Sequence, residues 1–102
     1  MRWQSMFLVL TLLAMAGCTG RPPEGATGEE IYLQLCSNCH GDDLGGGIGP
    51  PLGPGSNSVE QPDEFLEVTI LNGRGRMPSF QSSLNNDQLA RLIDFIRAEQ
   101  AE

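Results

Sequence analysis

Cys36-Ser37-Asn38-Cys39-His40 is the stretch on which the reading of this 102-residue chain turns. Two thiols separated by two residues, with an imidazole directly after the second, form the attachment sequence of c-type haem. On a tight helical turn the thiols reach two neighbouring vinyl groups along one porphyrin edge, and the His swings beneath the ring to bind iron. The connection is short, so ligation is local and little chain ordering is left to oppose it. Other uses of a Cys-x-x-Cys pair fail on the rest of the sequence. Structural zinc takes four ligands, usually as two separated pairs. This chain has one His and three Cys, the third being the distant Cys18. A thioredoxin-like pair needs a βαβ setting, which no segment here provides. A plain disulfide leaves both His40 and the small apolar core unexplained.

Working outward, the segment before the motif reads as a helix. Thr27 and Glu30 stand in the S/T-x-x-E arrangement of a capping box. Ile31, Leu35 and Tyr32 supply an apolar face that leads directly into Cys36. Residues 41–57 follow with seven glycines and three prolines. No regular element survives that density of breakers, which leaves a long loop, ordered or disordered. It is not a phosphate cradle: the Walker pattern needs a Lys, which this chain lacks, and no strand precedes it. Asp42 and Asp43 do not continue into a calcium loop and read as solvated carboxylates at a turn.

A second helix is expected from Pro62 to Leu71, with Asp63 and Glu64 at its positive end and Gly73 as its stop. Its expected buried face is Phe65, Val68 and either Leu71 or Thr69. Residues 73–84 read as a loop around Met77-Pro78. A third helix is expected from about Asn86 to Ala98. Asn85 and Gln88 fit its cap, Leu89, Leu92, Ile93 and Ile96 repeat at helical spacing, and Arg97 suits its last turn. With no convincing strand and no repeat, the fold class is all-α.

The second iron ligand follows by elimination. Of the four Met, three (Met1, Met6 and Met15) lie in an N-terminal segment that reads as a leader. Met77 then remains the one Met, His40 is the one His, and there is no Lys. A buried Met is ordinarily gap-filling core, but here that would leave the iron with no strong protein ligand on its second face. His40 and Met77 are therefore the expected metal ligands.

The chain's start has the order of a secretory signal: Arg2, an apolar run from Met6 to Ala16, then small residues up to Cys18. The run is too short for a spanning helix of about 20 residues. Met15-Ala16-Gly17-Cys18 resembles a lipobox, which would make Cys18 the lipidated first residue. Ala14-Met15-Ala16 also fits ordinary signal cleavage, but that route would leave an unpaired exported thiol at Cys18, so the lipobox is the expected route. The expected organisation is residues 1–17 as signal peptide, 18–26 as flexible tether beginning at the lipid-bearing Cys18, and 27–102 as the domain. The formal net charge is −7, from 13 carboxylates against six arginines. Such a chain is repelled by nucleic acid, which removes that class of partner.

At these motifs the sequence resembles the class I bacterial cytochromes c, especially the small single-haem domains grouped with cbb3-type oxidases, over nearly all of residues 27–98. Gly28 and Tyr32 resemble the Gly-x-x-x-aromatic of that family's first helix. Cys36-Ser-Asn-Cys-His-Gly41 resembles its haem motif, and Gly49-Pro-Pro-Leu52 the stretch that runs beneath it. Asn72-Gly73 with Met77-Pro-Ser-Phe80 is similar to its methionine loop. Leu92 with Phe95-Ile96 is similar to its last helix, with Phe95 where Tyr or Trp is commoner. The resemblance implies a class I cytochrome c fold, with about three main helices and long loops wrapped around one covalently bound haem c. It also implies that the first and last helices cross near Gly28 and Phe95. The Pro50 carbonyl would accept the Nδ1 proton of His40, and Leu52 would pack on the haem face. No Trp is left beyond the leader to partner a propionate, and Arg74 or Arg76 is the expected substitute.

The functional expectation is single-electron transfer at the outer face of the cytoplasmic membrane or in the periplasm. Partners would be respiratory oxidases, reductases or dehydrogenases with basic docking residues, and the lipid on Cys18 would hold the chain to the membrane. One alternative is a haem-based gas or redox sensor with an open sixth site. Another is a fixed electron-transfer subunit of a dehydrogenase or oxidase.

Overall fold

The structure, a computed structural model, describes residues 20–102. The expected signal peptide and Cys18 lie outside the described residues. Helix α1, Gly28–Leu35, begins at a complete capping box: the Thr27 hydroxyl accepts from the Glu30 amide at 3.1 Å, and Glu30 answers to the Thr27 amide. Cys36 breaks the helix, and a single further turn, α2 (Ser37–His40), carries the Cys-x-x-Cys-His motif. The Ser37 hydroxyl donates to the Leu33 carbonyl and ties the two together. A 3-10 turn at Asn57–Glu60 interrupts the long loop that follows. Helix α3 spans Asp63–Asn72 and stops at Gly73. Helix α4, Asn86–Gln100, is launched by a second capping box between Asn85 and Gln88. Beyond one isolated bridge between Arg74 and Met77, there is no extended pairing among the described residues.

The frame is the crossing of α1 and α4. It is tight at Gly28, where a Cβ would stand 2.2 Å from the Arg91 carbonyl oxygen and 2.8 Å from Phe95 Cβ. Only hydrogen fits there. One turn on, the Tyr32 and Phe95 rings meet at 5.5 Å between centroids, tilted by 49°, in the range favoured by aromatic pairs. Ile31, Tyr32, Leu89, Leu92, Ile93 and Ile96 are buried around this crossing, as their helical spacing requires.

Two expectations need correction. The buried residues of α3 are Leu66 and Ile70, whereas Val68 is 51% exposed. The helix is apolar on more than one side, and Leu66 and Ile70, four residues apart, are the pair that meets the core. The tether expected over 18–26 is not loose where it is described. Pro22 and Ala26 are buried. Gln88 donates to the carbonyls of Pro22 and Pro23, and Arg91 to those of Glu24 and Ala26. Backbone carbonyls bonded in this way are held against α4 despite the Pro/Gly composition.

The 41–57 loop is ordered. It folds back on the motif through Gly46 N–H to the His40 carbonyl and Gly49 N–H to the Cys39 carbonyl, both at 2.7 Å. Leu44, which is 2% exposed, anchors it with φ at 62°. A left-handed conformation at a leucine costs on the order of 1–3 kcal/mol. Burying its side chain recovers about 1.5–3 kcal/mol, so the loop keeps its shape.

Candidate functional site

Between α2, the loop, α3 and the Met77 segment lies an open cavity of about 630 Å³. Cofactor sites run from about 300 to 1,000 Å³. Leu35, Leu52, Phe65, Leu66, Ile70, Phe80 and Ile96 line it with apolar surface, and Cys36, Cys39, His40 and Met77 all face it.

Each chemical group is placed by a local cause. The α2 turn closes through the Cys39 and His40 amides, which both donate to the Cys36 carbonyl. That turn sets Cys36 and Cys39 three residues apart on one side, with Cys36 buried and Cys39 exposed. Burial, assisted by the negative charge of a Cys39 thiolate, pushes the Cys36 thiol up to about 12. His40 is buried, and its Nδ1 lies 2.8 Å from the Pro50 carbonyl oxygen. A carbonyl can only accept, so Nδ1 holds the proton and the Nε2 lone pair is left for a metal. Gly49 passes directly under the ring: a Cβ there would come within 3.1 Å of the imidazole Cε1. A larger residue there would crowd the imidazole, which would have to give by a few tenths of an ångström.

Met77, half-buried, is presented by a reverse turn. Its amide donates to the Arg74 carbonyl at 2.9 Å, and the Arg74 amide donates back at 3.1 Å. The same loop is fastened to the end of α3 by the Phe80 amide on the Ile70 carbonyl and the Ser79 hydroxyl on the Leu71 carbonyl. Arg74 and Arg76 both line the cavity, and the Arg74 guanidinium lies 5.6 Å from the centre of the Phe65 ring. Among the described residues, no group of three or more His, Cys, Asp or Glu side chains is placed to hold a metal ion.

The residues present fit a haem. The lining is apolar, two thiols stand one helical turn apart, and an imidazole offers Nε2 while its other nitrogen is committed. Sequence reasoning missed several members of this wall. Asn57, Ser58 and Gln61 line the cavity, yet polar residues in a loop carry no periodic signal. Ile48, 80% exposed at the mouth, was hidden among glycines. Phe65 was legible as apolar, but its spacing does not say that it faces a cavity.

A family model described as cytochrome c oxidase, cbb3-type, subunit III, matches residues 23–96. The chain belongs to this family of cytochromes c. As a cytochrome c it carries covalent haem c, and Cys36 and Cys39 stand at the spacing that attachment needs. Among curated relatives, cytochrome c-551 of Bacillus subtilis is 45% identical over 51 residues, covering 50% of this cytochrome and 44% of that protein. The menaquinol:cytochrome c reductase cytochrome c subunit of the same organism is 39% identical over 73 residues, covering 70% of this cytochrome and 27% of that protein. This chain thus spans half or less of either relative. Among solved structures, the c-type cytochrome NirC superposes with a TM-score of 0.61 at 36% identity, covering 70% of this cytochrome and 85% of that chain.

Proposed function

We propose that this cytochrome c relays single electrons between partner proteins, with His40 and Met77 as the two axial ligands of one haem. One observation carries the reading. The Cys36–Cys39 turn, a His40 imidazole committed through Nδ1 to Pro50, and Met77 all face one apolar cavity. Haem c supplies the one-electron couple. The chain's own residues do the rest. Cys36 and Cys39 fix the ring at one edge. The Pro50 carbonyl orients the imidazole and raises its basicity. The Met77 thioether is neutral and favours the reduced state, which raises the potential. Leu66, Ile70, Phe80 and Ile96 exclude water and lower the local dielectric.

With His40 and Met77 both holding the iron, no coordination site would be left for a substrate, so a relay fits better than catalysis. Arg74 and Arg76, at the cavity, are the cations available to the propionates. The exposed Cys39 marks the edge at which electrons would enter and leave. The acidic surface suits partners with basic docking residues. The signal-like order of residues 1–17 and the lipobox-like stretch ending at Cys18 support export to the periplasm and anchoring at the outer face of the cytoplasmic membrane. The similarity to a reductase subunit supports a fixed place in an oxidoreductase complex as one form of the same relay.

The test is optical. The ferric protein should show the weak methionine-to-iron charge-transfer band, and the reduced protein should not bind CO. Absence of the band together with ready CO binding would instead favour a gas sensor.

A further inference from the structure

The outer wall of the cavity has almost no hold of its own on the fold. Between Pro54 and Gln61 the loop amides bond only locally: Ser56 to the Gly53 carbonyl, Val59 to Ser56 and Gln61 to Ser58. None of Asn57–Glu60 is buried. Yet Ser58 and Gln61 line the cavity, next to Leu52. What reaches them comes from the last turn of α4. Arg97 donates to the Ser58 carbonyl at 3.0 Å, to the Gln61 carbonyl and to the Asp63 carboxylate at 2.8 Å. It also donates to the Gln100 side-chain oxygen at 2.8 Å, which sets the Gln100 amide to donate to the Leu52 carbonyl and the Ser58 hydroxyl. Two side chains that do not themselves line the cavity thus hold three residues that do.

We propose that Arg97 and Gln100 are positioning residues that latch the 54–61 segment over the cavity and so set how much water reaches the haem. The inference rests on the reading of the cavity as the haem site. A planar guanidinium suits the task, because its rigid fork aims one N–H at the Ser58 carbonyl and another at the Gln61 carbonyl, a preset geometry that an ammonium lacks. Opening the latch exposes the haem to solvent, which stabilises the more highly charged ferric form and lowers the midpoint potential. The axial ligands lie elsewhere and stay in place.

The test uses the haem-loaded protein and three variants. Arg97→Met removes the fork, Gln100→Leu removes the hydrogen bonds of one half-exposed side chain, and Asp63→Asn removes the charge of an exposed partner while leaving Arg97 its two carbonyls. Hydrogen exchange at the Val59 and Gln61 amides should quicken by roughly tenfold in Arg97→Met, and by less in Gln100→Leu. Their midpoint potentials should fall in the same order, with the methionine-to-iron band retained. Asp63→Asn should change neither quantity appreciably, since surface pairs contribute little. Coloured Arg97→Met and Gln100→Leu proteins with unchanged exchange and potential would overturn the inference alone. Exchange that quickened equally in α1 and α4 would overturn it too, since the residues would then be general props. A colourless wild-type protein would overturn the reading of the cavity and the latch with it.

Discussion

Met77 sits on a turn bonded in both directions to Arg74, so its position is set by backbone bonds as well as by its packing against the core. Replacing it with His should therefore deliver an imidazole to the same place. Met77→His is expected to keep six-coordination and to lower the midpoint potential, because imidazole favours the ferric state more than a thioether does. A potential equal to the wild type would mean that this residue is not on the iron. Tyr32 has a different task. Its hydroxyl donates at 2.7 Å to the carbonyl of Gly41, the residue that follows His40. Burial, with the nearby charges of Cys36, Asp43 and Asp42, raises its phenol from 10.0 to about 12. Thioether formation removes the Cys36 charge, but burial and the two carboxylates act in the same direction. The folded state thus holds this proton more tightly than the unfolded chain. The stability it contributes is complete below pH 10 and is lost as pH rises towards 12. Tyr32→Phe should cost about 1 kcal/mol near neutrality, at the low end because the Leu44 amide still bonds the Gly41 carbonyl. Denaturant titrations at pH 8 and 11 should show the gap to wild type narrowing at the higher pH. A constant gap would mean that the phenol titrates alike in both states.

At the scale of elements, the α1–α4 crossing bears the frame, and Gly28 sets its closeness. A methyl group there gains at most about 1 kcal/mol of helix propensity. It also meets the Arg91 carbonyl at 2.2 Å, and overpacking of that kind costs about 1–3 kcal/mol or more. Gly28→Ala should therefore destabilise the domain on balance, seen as a lower thermal midpoint. A midpoint at or above wild type would show that the helices can separate without loss. The same elements show how much could be read from the sequence alone. Both capping boxes and the apolar repeat of α4 were legible, because caps and helical spacing are local properties. The core face of α3 was misread, since Phe65, Leu66, Val68, Ile70 and Leu71 give it several apolar sides. Periodicity cannot tell a side that meets protein from one that meets a cofactor. The docking of residues 22–26 left no local trace, because Gln88 and Arg91 supply it from more than sixty positions away. The motif residues, by contrast, needed no tertiary information: their chemistry is set by spacing within five positions, and the resemblance carried it on to Pro50.

For the molecule as a whole, the decisive fact is that the apolar core is open on one side, at the cavity. Ile70, Leu66 and Ile96 are buried, yet each also faces the cavity, so that side of the core is completed by the cofactor. Domains of this size bury too small a fraction of their surface to tolerate that deficit. Cys36 and Cys39 both changed to Ala should leave a largely unfolded chain, and a cooperative thermal melt by circular dichroism would contradict this. The most direct test of the covalent haem is mass spectrometry of the protein from a host competent in cytochrome maturation. The chain should carry the added mass of one haem, with Cys36 and Cys39 both closed to alkylation. A colourless product of unmodified mass, with both thiols alkylated, would contradict it.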